Sequence, residues 1–395
     1  MVNYITFYQS NEAFKYGIKK YLFLLINEVL IPSDKVDKII IINTSIDEKE
    51  LEKLRKVKKI VIIDIHKLYS IHSINDIKKI VPLVVEKVVE NVKSNNAVLH
   101  INDPYMQPLA FYLKNIIENL KVIYTIHKNR INYFKRKNVD DVFFQKFTIA
   151  ECSILKMTDV NIFLTDKTKN EYEKFYSLDQ KKSLIIKNSI PNHLNENRLS
   201  KESLKVKYGF SQDDFLLLYV GRLDIEKGID LLFSIFEKLE PLHKQIHLVI
   251  IGNGDYVPPE MSLKNIHLFG YLSSEEIMNV YQIADIGIIT SKDEECSFVC
   301  IEMLRFGLPI ISLANAGQSE ILDTGLYSEF LVRYKPHNYS DSHVIEEFIH
   351  KLNKLIDSSD TRRSLGNESL SIYNNSLSFN KFFQNYHNLI CSVVM

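Results

Sequence analysis

The sequence predicts an α/β fold built from two doubly wound parallel sheets in series. Three observations carry that expectation. Short apolar runs alternate with amphipathic stretches along nearly the whole chain, as in strands buried on both faces between helices. The rhythm pauses once, at "NSIPNHLNENRLS" (188–200), where Pro, Asn and Ser are dense. The length, 395 residues, is too great for one small core and suits two domains.

Taken in order, the first half offers strands at 4–8, 38–43, 59–64, 97–101, 121–126, 160–165 and 183–187. Their Ile- and Val-rich runs are short and bounded by polar residues, which favours strand over helix. Helical spacing fills the intervals 12–30, 72–93, 105–119 and 140–157. After the pause, strands restart at 215–221, 246–252, 265–270, 284–290, 308–313 and 329–332. The last stretch, "FNKFFQNYHNLICSVV" (379–394), has the spacing of a packed helix. Ligands of doubly wound sheets bind at the carboxyl ends of the strands, and a cleft between two such sheets suits a small molecule.

Composition excludes several classes. Hydrophobic residues make up 46% and charged residues 25%, an ordinary globular balance. Residues 1–192 carry 31 Lys and Arg against 22 Asp and Glu, and residues 193–395 carry 18 against 27. The basic half suits an anionic surface, or equally a partner domain of opposite charge. It is not basic enough to make nucleic acid the expected partner. The four cysteines show no CxxC or metal-ligand spacing, and Cys296 and Cys300 read as small buried thiols. Neither a membrane-length apolar run nor a signal-peptide pattern is present, so the expected compartment is the cytoplasm.

The chemistry-bearing stretches lie at strand ends. In "SKDEECSFVCIEMLRFGLPI" (291–310), Ser297 suits an N-cap and Gly307 with Pro309 stops the helix. The amides of Phe298 and Val299 would then open a helix that can hold an anion. Glu302 lies about one turn inside and Glu294 in the preceding loop; both suit hydroxyl recognition, or equally a solvated helix start. In "LLLYVGRLDIEKGIDLL", Gly221 permits a sharp turn, and Arg222 and Lys227 place two cations on one strand-end loop, as a diphosphate would need. "VIIGNGD" ends a strand at Gly252, a turn through which a nucleotide can approach. In "LFGYLS", Tyr271 and Leu272 would border a base. In the first half, His127 ends the strand "VIYTI", and Gly17 follows the first strand. The segment "HKNRINYFKRKN" (127–138) reads as a solvated basic loop, with contact to an anionic acceptor or membrane as the alternative.

Together these residues resemble the retaining GT-B glycosyltransferases of family 4. "YVGRLDIEKG" is similar to that family's VGRL…KG segment. "ADIGIITSKDEECSFVCIEMLRFGLPII" is similar to its two acids separated by seven residues, here Glu294 and Glu302. "AGQSEIL" (316–322), "VIYTIHK" and "IIKNSI" resemble further segments in the same order. Glu295 and Ser297 stand where Pro and Gly are usual, and the loop after the first strand has one glycine, Gly17, where a pair is common.

The resemblance implies an N-terminal acceptor-side domain over 1–190, a nucleotide-sugar domain over 191–375, and a helix over 376–395 crossing back to the first. It implies transfer of a hexose or N-acetylhexosamine from a nucleotide-diphosphate sugar with retention of configuration. A UDP-sugar is favoured over a GDP-sugar, without metal or other cofactor. Arg222, Lys227 and the 298–299 amides would hold the diphosphate. Glu302 would bind ribose, Glu294 the donor sugar, and His127 the reaction centre. "HINDPYMQPLA" and "EECSFVCIEM" also resemble a bacterial subgroup associated with radical-SAM peptide-maturation systems, which implies a peptide or protein acceptor beside a glycan or lipid-linked glycan. A silent GT-B partner of another transferase and a nucleotide-sugar epimerase are the alternative readings. Weak peripheral membrane contact through the basic domain is a further expectation.

Overall fold

The computed structural model describes all residues except 9–16, 44–47, 66–73, 93–95, 192–198, 257–263, 335–341 and 395. The chain forms two compact units, Met1–Asn188 with Asn380–Met395, and Ser189–Phe379. The breaks fall a few residues from those expected after 190 and 375, because the junctions follow packing rather than composition. Ser189 donates its hydroxyl to the Leu377 carbonyl at 2.6 Å, which ties both junction strands to the second unit.

The first unit holds a seven-stranded parallel sheet: β1 Val2–Tyr8, β2 Val36–Asn43, β3 Ile60–Asp64, β4 Asn96–Ile101, β5 Asn119–Ile126, β6 Val160–Phe163 and β7 Ser183–Ile185. Their order is β3-β2-β1-β4-β5-β6-β7. Every residue of β1 is buried, as two-sided coverage by helices requires. Tyr386 and Phe382, one turn apart on the last helix (Phe379–Val394), pack against Tyr21 of the first helix (Gly17–Leu24). That buried aromatic contact brings the C-terminus into the first unit.

The second unit holds six parallel strands: β8 Phe215–Val220, β9 Ile246–Ile251, β10 Ile266–Gly270, β11 Ile286–Ile289, β12 Ile310–Leu313 and β13 Leu331–Val332. Their order is β10-β9-β8-β11-β12-β13. Leu216, Leu217 and Leu218 are fully buried, and burial of each such side chain is worth about 1.5–3 kcal/mol.

All thirteen expected strands form, each within two residues of its anticipated ends. The amino-terminal part of the helix expected over 12–30, the edges of that over 72–93, and most of the linker lie outside the described residues. One expectation is corrected. The segment 127–138 is no solvated loop: Arg130–Arg136 is helical, capped by Asn129, and Arg130 is drawn into the protein. Among the described residues no helix is long and apolar enough to cross a membrane.

Candidate functional site

In the second sheet the chain changes direction between β8 and β11, so the loops leaving their carboxyl ends flank the switch point. The loop after β8 is pinned from several sides. Asp224 accepts the Lys227 amide at 2.8 Å and caps a short turn, Ile225–Lys227. Tyr219 donates its hydroxyl to the Arg222 carbonyl at 2.9 Å. Thr290, at the end of β11, donates its hydroxyl to the Lys227 carbonyl at 3.1 Å. Gly228 has φ +68°, and a Cβ there would sit 2.0 Å from the Thr290 carbonyl oxygen. Glycine is what lets the two loops approach.

The loop after β11 is held equally. Lys292 donates its amide to the Glu226 carbonyl at 3.0 Å, and its Nζ reaches Asp230 at 3.0 Å. Gly317 donates its amide to the Glu294 carbonyl at 2.9 Å. A Cβ on Gly317 would lie 2.2 Å from the Glu295 carbonyl oxygen. Ser297 caps the helix Phe298–Arg305, and Gly307, at φ +65°, ends it.

These constraints bring Lys227 and Glu294 together: Lys227 Nζ donates to Glu294 Oε1 at 2.5 Å. Arg222 pairs with Asp224 at 2.9 Å on the same loop. Glu302 is half-buried, and Tyr281 is among its donors. The buried Tyr281 hydroxyl donates to Oε2 at 2.7 Å, and the Tyr281 ring stacks on Phe306. Burial, then the neighbouring Glu302 carboxylate, pushes the Tyr281 hydroxyl well above its usual pKa. It therefore stays a donor and orients the carboxylate.

The glycines after β8 and β9 have a reason within the fold. At Gly252 (φ +136°) a Cβ would lie 1.9 Å from the Gly221 carbonyl oxygen, so the two loops pack backbone to backbone. Tyr271 is exposed and Leu272 half-buried after β10, two strands from β8. Cys296 and Cys300 are buried. Among the described residues, no group of three or more His, Cys, Asp or Glu side chains is arranged to hold a metal ion.

In the first unit, His127 follows β5 and is half-buried. Its Nε2 lies 2.8 Å from Asn102 Oδ1, and its ring meets that of Tyr21 edge-on at 4.6 Å. Burial pulls its pKa down to about 3, with His100 and Arg130 adding to the effect. It is neutral near pH 7 and acts as a hydrogen-bonding group. Gly17 opens the helix that carries Tyr21, and a Cβ there would meet no protein atom. Beneath His127, the fully buried His100 bonds Tyr4 at 2.6 Å and Thr125 at 2.7 Å, and burial lowers its pKa to about 3.

A pH dependence follows. Unfolded His100 regains its ordinary pKa near 6.5. Above that pH the histidine makes no pH-dependent contribution. Below it the unfolded chain takes up a proton that the native state refuses. Stability falls between pH 6.5 and 3, by up to roughly 1.4 kcal/mol per pH unit from this residue. Chemical denaturation at pH 7.5 and 5.0 shows a lower midpoint at pH 5.0, and the difference shrinks in His100→Gln.

Sequence reading missed Asp224, Tyr281, Asn102 and Arg130. Asp224 carried a cue, an Asp three residues before Lys227 at a turn. Tyr281 carried none, since it lies 21 residues before Glu302 and meets it only across the packed helices.

Two parallel-sheet, Rossmann-like α/β units with these switch-point loops define the GT-B class of fold. Known proteins of that class superpose on the full chain. The Anabaena HepE structure with UDP-glucose aligns at TM-score 0.74 and 14% identity, covering 99% of this chain and 100% of its own. Sucrose-phosphate synthase of Thermosynechococcus elongatus aligns at 0.77 and 15%, covering 100% and 99%.

Residues 200–370 match the family model Glycosyl transferases group 1. The 2-deoxystreptamine N-acetyl-D-glucosaminyltransferase of Niallia circulans is 26% identical over 260 residues, which is 61% of this chain. The match spans 64% of that relative's own length.

Proposed function

We propose that this chain is a retaining, metal-independent glycosyltransferase of family 4 that works in the bacterial cytoplasm. It moves a hexose or N-acetylhexosamine from a nucleotide-diphosphate sugar, UDP-linked in preference to GDP-linked, to a peptide, protein, glycan or lipid-linked glycan. One observation carries this reading: Arg222, Lys227 and Glu294 gather beside a capped helix start at the switch point of the second sheet. The family match over 200–370 and the glycosyltransferase relatives support transferase activity. The UDP-glucose bound by HepE supports the choice of base.

The chemistry follows from charge. As the glycosidic bond breaks, negative charge gathers on the departing diphosphate. Arg222 and Lys227 offset it as fixed cations, and the 298–299 amides add the positive end of a helix. Glu302, oriented by Tyr281, accepts ribose hydroxyls; Glu294 accepts hydroxyls of the donor sugar. His127, neutral, donates or accepts a hydrogen bond near the transferred sugar, so its titration adds no inflection to the rate near pH 6.5.

Thermal shifts with UDP, GDP, ADP and TDP sugars test the donor, since a ligand of the native state raises apparent stability by mass action. NMR of the donors separates the alternatives: slow hydrolysis marks a transferase, inversion of a ring carbon an epimerase, and a panel in which no donor binds or reacts a silent partner. The second outcome, or the third, sinks the proposal.

Membrane contact has a specific surface behind it. Val142, Phe143 and Ile149 are exposed on one helix and Phe175 on another. Lys135 lies 6.0 Å from the Phe175 ring, and Phe134 joins the cluster through Phe143 at 5.5 Å. Exposed apolar groups with a cation beside them suit an anionic bilayer. Co-sedimentation with phosphatidylglycerol vesicles, absent with phosphatidylcholine and lost in Phe143→Ser/Phe175→Ser, tests it.

A further inference from the structure

The Lys227–Glu294 pair has a consequence for nucleotide release, and it rests on the donor reading above. Neither partner arrives there by chance of a loose loop. The Lys227 carbonyl is held by Thr290, and the Glu294 carbonyl by Gly317. With both backbones fixed, Nζ and Oε1 lie 2.5 Å apart, and the side chains of Lys227 and Glu294 are 27% and 15% exposed. A pair in such surroundings is stronger than one on an open surface. In this state the cation needed by a diphosphate is already neutralised by a carboxylate of the same site.

We infer that Glu294 is the counter-ion that Lys227 exchanges for the diphosphate, and that it competes against the spent nucleotide and speeds its release. When the intact donor binds, the diphosphate takes Lys227. Glu294 is then compensated by hydroxyls of the donor sugar, which accept the exchange of partners. Once the sugar has left, those hydroxyls are gone. Glu294 then regains Lys227 at the expense of the nucleoside diphosphate. The same carboxylate thus favours the loaded donor over the product, a discrimination that sugar contact alone does not provide.

The test compares nucleoside diphosphate affinity in two isosteric variants by calorimetry, with UDP as probe and circular dichroism as the check of fold. Glu294→Gln removes the competing charge and binds UDP roughly tenfold more tightly than wild type, within the range of coupling measured for close charge pairs. Asp293→Asn removes a charge from the same loop but not the one paired with Lys227, and does not tighten UDP. Unchanged or weaker UDP binding by Glu294→Gln overturns the inference. So does equal tightening by both variants, which would mark a general charge effect. Failure of wild type to bind any of UDP, GDP, ADP or TDP instead removes the donor reading itself.

Discussion

Arg222→Ala and Lys227→Ala each lower turnover about 10²–10³-fold, the usual cost of losing one preorganised group that meets developing charge. Steady-state kinetics with the donor found by thermal shift reads the effect. The loss falls mainly on kcat, because charge on the diphosphate grows as the bond breaks and the ground state feels less of it. Both side chains are partly exposed, and their loop is anchored by backbone and by Tyr219 and Thr290, so the variants keep their fold. EDTA leaves wild-type turnover nearly unchanged. Full activity in the double variant would remove the assignment of both cations, and strong inhibition by EDTA would remove metal independence.

Arg130→Leu destabilises the first unit by about 3–5 kcal/mol, the range for deleting one partner of a buried pair. Glu151 is fully buried, and Arg130 lies 3.9 Å from its Oε1. Tyr176 donates to Oε2 at 2.8 Å, with Tyr124 and Tyr172 near Oε1. Burial raises the Glu151 pKa, and Arg130 and the tyrosines oppose that rise. Without the guanidinium the carboxyl rises further. A carboxyl raised in the folded state contributes stability that is present at low pH and lost as pH climbs through its folded value. The deficit in Arg130→Leu is therefore smaller at pH 5 than at pH 8, measured by urea denaturation followed by circular dichroism. Adding Glu151→Gln recovers part of the loss, because the fully buried charge is then no longer stranded and only the more exposed Asp103 lacks its partner. An Arg130→Leu protein as stable as wild type at pH 8 would mean that the guanidinium does not support that carboxylate.

The two predictions draw on different kinds of information. The placement of Arg222, Lys227, Glu294 and Glu302 after strand ends was legible because strand-end loops are written locally. A buried apolar run, a glycine and a cation mark such a loop, and a Ser cap marks the helix start. That Lys227 and Glu294 touch was not legible. They are separated by 67 residues, and only the β8–β11 pairing brings their loops side by side. The packing role of Gly252 was hidden for a similar reason. Its freedom serves the Gly221 backbone of the neighbouring loop, a partner no local pattern names.

The segment 127–138 shows the opposite failure. Its Lys and Arg content reads as solvated, and Lys135 and Lys137 are exposed. Arg130 departs because Asp103, after β4, and the buried Glu151, on the helix Asp141–Met157, both face it with charges. Side-chain composition reports the average preference of a stretch, while one long-range ion pair reverses it at one position.

By itself the sequence determined the alternation of thirteen strands with helices, the break into two units and the strand-end loops that carry cations and acids. These depend on periodicity, turn residues and caps, all written within about a dozen neighbours. Only the tertiary structure decided which charges meet, which carboxylate a tyrosine holds, and how the last helix joins the first unit. Those outcomes depend on strand order and on packing between residues far apart in the chain, where no local pattern reaches.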